Sequence, residues 1–191
     1  MAKKQAKPKA ESIEISPVAV PVEPKFFLND AMKMLAERAD AIFLGQSVDC
    51  PGTSMYASFD GVDAAKRLEM PVAEQLQLGI SIGLSMEGYL PVSVFPRWNF
   101  LLSATDMLVN HLDRIPIYSN YRPKVIVRTA EGSASPLDPG HQHKDDFTRP
   151  FDMMLKTVRV VRLSDPDKIV PEYRKALEAE TSTILVETPG M

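Results

Sequence analysis

Cysteine is almost missing from this sequence. The 191 residues hold one, Cys50, which excludes an internal disulfide and any CxxC metal site and suits a reducing, cytoplasmic setting. Histidine is nearly as scarce, with three in the chain. No GxxxxGK[ST] or GxGxxG phosphate loop occurs, and there is no GxSxG nucleophile elbow. No apolar run approaches the roughly 20 residues of a membrane span. The formal net charge is -3, so nothing draws the whole molecule toward nucleic acid or an anionic membrane.

What is present is the composition of one soluble domain, with 45% hydrophobic and 25% charged residues. The first 25 residues differ from the rest. They carry five Lys, four Pro and no aromatic, a makeup that buries little apolar surface. We expect a disordered Lys/Pro-rich arm over 1–25 and a single domain over 26–191. The arm has no long apolar stretch and no small-residue cleavage site, so it does not read as a secretory signal.

From Phe26 the pattern becomes regular. Leu28, Ala31, Met32, Leu35 and Ala39 recur at helical spacing. AIFLGQSV, 41–48, is a short apolar run ended by a glycine, as in a buried strand. Residues 49–70 read as one long loop. EQLQLGISIGLSMEG, 74–88, alternates like a strand, yet its length and the four-residue spacing of Gly79 and Gly83 favour a buried helix that another backbone could approach closely. LPVSVFP, KVIVRTA, TVRVVRLS and STILVETP read as strands. Leu101, Ala104, Leu108, Leu112 and Ile115 predict one amphipathic helix over 99–115, and Ser164-Asp165-Pro166-Asp167 starts another. Strands alternating with helices predict an α/β fold, a mostly parallel sheet with helices on both faces. Ligands in such folds bind outside the carboxyl ends of the strands, here the loops 45–60, 95–100 and 129–147.

Three constellations lie near those loops. His141, His143, Asp145 and Asp146 form an HxHxDD run resembling part of the HxHxDH metal motif of hydrolases, although Asp146 replaces the last histidine and no histidine follows. Trp98 and Phe100 follow a strand and could stack a ring or fill the core. Glu74 opens the glycine-spaced helix. By itself it could be a first-turn carboxylate stabilised by the helix dipole.

Residues 70–100, MPVAEQLQLGISIGLSMEGYLPVSVFPRWNF, resemble the beta subunit of the E1 component of 2-oxo acid dehydrogenases. They are similar, more distantly, to the central domain of transketolase and of deoxyxylulose-phosphate synthase. Glu74, Gly79, Gly83, Gly88, Pro91, Asn99 and Phe100 fall in register without a gap. Asp106 and Asn110 fit the next helix, and Gly132 to His141 matches the family's glycine-to-histidine loop. The resemblance covers roughly residues 26–190 and implies a thiamine-diphosphate-binding fold, pyrimidine domain. It implies that Glu74 hydrogen-bonds N1′ of the aminopyrimidine, favouring the imino tautomer that deprotonates thiazolium C2. Phe100 would stack on the pyrimidine with Trp98 and Phe95 nearby. His141, or His143 after a small register shift, would stabilise or relay charge. Gly79 and Gly83 would pack at a subunit interface.

The departures shape the expectation. The family's GDG motif with paired asparagines, which holds diphosphate and magnesium, has no counterpart here. The family's acidic pair after the first strand reads Gln46-Ser47. Its beta subunit also continues into a further C-terminal domain, whereas this sequence stops at Met191. The implied molecule is a stand-alone pyrimidine-binding subunit acting on a 2-oxo acid or ketose. A partner chain in a heterodimer or heterotetramer would supply the diphosphate and magnesium site. The rival expectations are a non-catalytic assembly or regulatory paralogue and a metal-dependent hydrolase using the HxHxDD loop.

Overall fold

A computed structural model describes residues 25–134 and 138–188. The arm expected over 1–25 lies almost wholly outside the described residues.

Six strands form one all-parallel sheet in the order β2-β1-β3-β4-β6-β5. They are β1 Ala41–Gly45, β2 Arg67–Glu69, β3 Leu90–Val94, β4 Ile126–Ala130, β5 Arg159–Leu163 and β6 Thr183–Glu187. The central strands are buried on both sides, which is why they read as continuous Val/Ile/Leu runs rather than alternations. Register aligns Phe43 with Val92, Val92 with Ile126, and Ile126 with Thr183.

Among the described residues the seven α-helices are α1 Lys25–Ala36, α2 Ser54–Ala57, α3 Glu74–Met86, α4 Trp98–Leu102, α5 Ile115–Tyr118, α6 Thr148–Met154 and α7 Ile169–Glu178. Two apolar clusters divide them between the faces of the sheet. On one face, Ala31, Met32 and Leu35 of α1 and Ile169, Tyr173 and Ala176 of α7 pack on Phe43, Val92, Val94, Ile126 and Leu185. On the other, Leu78 and Ile82 of α3, Trp98 and Leu101 of α4 and Phe151 of α6 pack on Val127, Ile184 and Val186. Each large apolar side chain buried in this way contributes about 1.5–3 kcal/mol. Both faces are therefore covered, as expected.

Three local expectations are corrected. Residues 49–70 are not simply a loop: they hold α2, a 3₁₀ turn at Ala64–Lys66 and the edge strand β2. The single helix expected over 99–115 is broken. α4 ends at Leu102, a π-helical turn spans Met107–Leu112, and α5 follows. The amide of Asp113 donates to the carbonyl of Leu108, the i→i−5 bond of the π geometry. The buried Asp113 carboxylate explains the break, since it must face the chain entering β5. Its Oδ1 accepts the amides of Lys156 (2.8 Å), Thr157 (2.7 Å) and Val158 (3.1 Å). The helix α6 was also not anticipated. No described helix is long and apolar enough to cross a membrane.

Candidate functional site

The carboxyl ends of β1, β3 and β4 are neighbours in the sheet, so the segments that leave them converge. The β1 exit depends on Gly45, whose φ is +147°. A Cβ there would lie 2.1 Å from the Val94 carbonyl oxygen and 2.9 Å from Nε2 of Gln77. Gln77 occupies that junction, fully buried. Its amide donates to the Val94 carbonyl at 2.9 Å and to Oγ of Ser93 at 3.1 Å, with the Leu44 carbonyl at 3.5 Å. Strand-end carbonyls of β1 and β3 thus hold the first turn of α3. The cost is that Oε1 of Gln77 is buried without a partner among the described residues.

Glu74 lies three residues earlier on the same helical face and is 8% exposed. It is the first residue of α3, where the N-cap Ala73 supplies no side-chain bond. The helix dipole favours a carboxylate at that end. Nε2 of Gln46 donates to its Oε1 at 3.3 Å. Gln46 is steered there by a loop wrapped around Glu69, whose carboxylate accepts the amides of Ser47 and Asp49 at 2.7 Å each. Ser47 takes the left-handed conformation, φ +64°. Among the described residues Glu74 has no ion pair, so a neutral amide is its neighbour rather than a cation.

The third contribution comes from the segment after β4. A Cβ on Gly132 would fall 1.7 Å from the carbonyl oxygen of His143, so glycine lets the histidine loop lie against the strand end. The loop is braced by Asp138, which takes Nζ of Lys144 at 2.6 Å and the amide of Gly140 at 2.9 Å. Lys144, then that amide, hold the Asp138 carboxyl below its usual range. Within the loop, His141–His143 form a 3₁₀ turn. His141 is exposed. His143 is half-buried, with Nδ1 2.8 Å from Oδ1 of Asn99 and its ring stacked on Phe100, centroids 5.7 Å apart.

The aromatic residues divide. Phe100 is partly exposed. Phe95 and Trp98 are wholly buried in the core, and Trp98 stacks on Phe151 at 5.0 Å. The structure therefore brings Phe100 and His143 together and leaves Phe95 and Trp98 as packing. Gly79 meets the side chain of Met107 at 3.4 Å, while Gly83 faces open space. The HxHxDD residues do not converge. Asp146 caps the amide of Thr148 and lies 3.5 Å from Arg162, and no group of three His, Cys, Asp or Glu among the described residues could hold a metal. Sequence reasoning missed Gln77 and the part played by Gln46. Gln77 did offer a signal, as a glutamine one helical turn from Glu74 and from Ser81, a polar stripe on a helix with little charge.

The fold defines a class: it is the transketolase-like α/β fold, an all-parallel sheet with helices on both faces. No protein-family model matches the chain. Two curated relatives do: the pyruvate dehydrogenase E1 component subunit beta, mitochondrial, of Ascaris suum is 28% identical over 174 residues, 84% of this chain and 45% of the relative. The protein of the same name from Saccharomyces cerevisiae is 28% identical over 127 residues, 63% of this chain and 34% of the relative. This chain therefore spans less than half the length of the curated relatives it matches. Among solved structures, a split-gene transketolase, described as an inactive beta4 tetramer, superposes with a TM-score of 0.68 at 18% identity, covering 85% of this chain and 50% of that one. The chain is thus weakly similar in sequence to these E1 beta subunits and shares the fold of the split-gene transketolase.

Proposed function

We propose that this chain is the pyrimidine-side half of a composite thiamine-diphosphate enzyme, with Glu74 as the carboxylate that addresses the cofactor's aminopyrimidine. The observation that carries this is the environment of Glu74: a carboxylate 8% exposed, at a helix start, with an amide donor and no cation among the described residues. A structural carboxylate buried to this degree would be expected to carry a charged partner. One held by a single amide keeps acceptor capacity for a ring nitrogen and can share its proton. The donor set therefore fits the pyrimidine end of the cofactor. When bound, thiamine diphosphate supplies the carbon nucleophile and electron sink for chemistry on a 2-oxo acid or ketose.

The chain's own residues have these roles in the proposal. Glu74 binds N1′ and holds or gives a proton there. Gln46 orients its carboxylate. Phe100 offers a partly exposed ring to the pyrimidine, while Phe95 and Trp98 support it from the core rather than by contact. His143 relays charge near the reacting carbon, and exposed His141 lies at the mouth of the loop. No GDG motif with paired asparagines occurs in this sequence, so diphosphate and magnesium belong to a partner chain. The open face at Gly83 suits packing against that partner in a heterodimer or heterotetramer. A reducing, cytoplasmic setting accords with one exposed cysteine, Cys50.

The test is co-purification with a chain carrying a GDG…NN site, followed by thiamine-diphosphate-dependent decarboxylation and two-carbon transfer assays. Glu74→Gln should lower kcat by about 10²–10⁴-fold, the range for a positioned acid–base group. Full activity in that variant sinks the mechanism. A stable complex without thiamine-diphosphate binding would point instead to an assembly subunit that kept the fold.

A further inference from the structure

Resting on the reading of His143 as the charge-relaying residue, we infer that Asn99 is a positioning residue that fixes its imidazole as the Nδ1–H tautomer, leaving Nε2 as the basic nitrogen. A neutral imidazole has one donor and one acceptor nitrogen, and its neighbours choose which is which. Oδ1 of Asn99 is 2.8 Å from Nδ1. A carbonyl oxygen only accepts, so Nδ1 carries the hydrogen. Nε2 of Gln142 is 3.2 Å from Nε2 of His143. An amide nitrogen only donates, so that ring nitrogen carries the lone pair. The two contacts come from different segments and require the same tautomer. The other tautomer would set N–H against N–H on one side and lone pair against lone pair on the other.

The ring has little freedom to escape this choice. It stacks on Phe100 with 27° between the planes, and Phe100 follows Asn99 on α4. One short helix thus fixes both the plane and the proton of His143. The backbone of the loop is fixed as well, because the His143 carbonyl occupies the space where Gly132 lacks a side chain. Gln142 is exposed, so the amide that contacts Nε2 can swing away and free the lone pair for proton exchange. His141 is exposed and lies at the start of the 3₁₀ turn; His143 is the histidine whose proton the fold specifies.

The experiment is two-bond ¹H–¹⁵N correlation NMR of the purified chain, labelled at histidine nitrogens and held at mildly alkaline pH. His143 is assigned by His143→Gln. The expected wild-type pattern is Nδ1–H for His143. Asn99→Leu should revert it to Nε2–H, the common tautomer of a free imidazole, and Asn99→Asp should keep Nδ1–H because a carboxylate also accepts. The His111 and His141 signals should stay in place, reporting an intact fold. Nε2–H in the wild type, as would follow if both amides were turned over, overturns the inference. Nδ1–H persisting in Asn99→Leu overturns it too. Should Asn99→Leu not fold, the wild type and Asn99→Asp still decide. In the reconstituted enzyme, Asn99→Leu should lower kcat on the order of tenfold or more with KM unchanged, and Asn99→Asp should restore it. Nδ1–H in a chain that no partner renders active would leave the tautomer standing and remove the enzymatic reading instead.

Discussion

The carbonyl oxygen of His143 lies 1.7 Å from where a Cβ on Gly132 would be built. The histidine loop therefore closes over the end of β4 because position 132 carries no side chain. Gly132→Ala should push the 141–144 turn off the strand, separate His143 from Phe100 and cost about 1–3 kcal/mol, the range for overpacking. Urea unfolding measures the cost, and the histidine NMR spectrum reports the displaced ring. Wild-type stability and spectrum together would refute the packing argument.

At the β1 exit crowding combines with an unusual backbone conformation. A side chain at position 45 would meet the Val94 carbonyl and the Gln77 amide, and φ of +147° adds backbone strain. Gly45→Ala should cost about 2–5 kcal/mol, combining strain with overpacking. Gln77→Leu should cost about 1–3 kcal/mol, since it strands the carbonyl of Val94 in a buried junction. Because Gln77 pins the turn that bears Glu74, this variant should also weaken the reconstituted enzyme. Equilibrium unfolding of each variant checks the first expectation, and cofactor titration of the assembled enzyme checks the second.

Arg128 and Glu187 form a buried pair on the α1/α7 face of the sheet. Ser58 accepts from the guanidinium at 2.6 Å, and the Tyr173 hydroxyl lies 3.4 Å from the carboxylate. Arg128→Met should cost about 3–5 kcal/mol by leaving the carboxylate unpaired, and Arg128→Met with Glu187→Leu should recover much of it. A double-mutant cycle by denaturant unfolding is the measurement. A double variant no more stable than the single would refute compensation.

The carboxylate of Asp113 gives the stability a pH dependence. Burial alone would push its pKa up. The amides of Thr157, Val158 and Lys156, with Arg114 nearby, outweigh that and hold it below the ordinary value. A depressed folded-state pKa contributes stability that is fully present above the unfolded value of about 3.9 and is lost as pH falls through the folded value. Asp113→Asn should therefore be destabilised relative to wild type at pH 7 by about 1–3 kcal/mol. The gap should narrow below about pH 4, where the unfolded chain's carboxyl takes up a proton that the folded one resists. Unfolding curves across that range decide it, and a gap independent of pH would contradict the assignment.

Much of the fold was legible because a parallel sheet buried on both faces leaves long apolar runs. The strands β1, β3, β4 and β6 each carry one, and the edge strand β5 keeps only Val160-Val161 between two arginines. The edge strand β2 carries only Arg67, Leu68 and Glu69, too short and too polar for periodicity to register. The break of the 99–115 helix was hidden for another reason. Its apolar spacing is compatible with α-helix throughout, and the π turn answers to Asp113 and its partners more than forty residues away.

The sequence by itself determined the alternation of strands and helices and placed Glu74 at the start of a glycine-spaced helix, because periodicity and local residue chemistry are written along the chain. The register of residues 70–100 likewise pointed to a pyrimidine domain. Only the tertiary structure decided which polar groups meet: Gln46 with Glu74, Gln77 with the ends of β1 and β3, Asn99 with His143. Those pairs lie on different crossovers. Parallel pairing of β1, β3 and β4 brings their carboxyl ends side by side, and that proximity is a property of strand order.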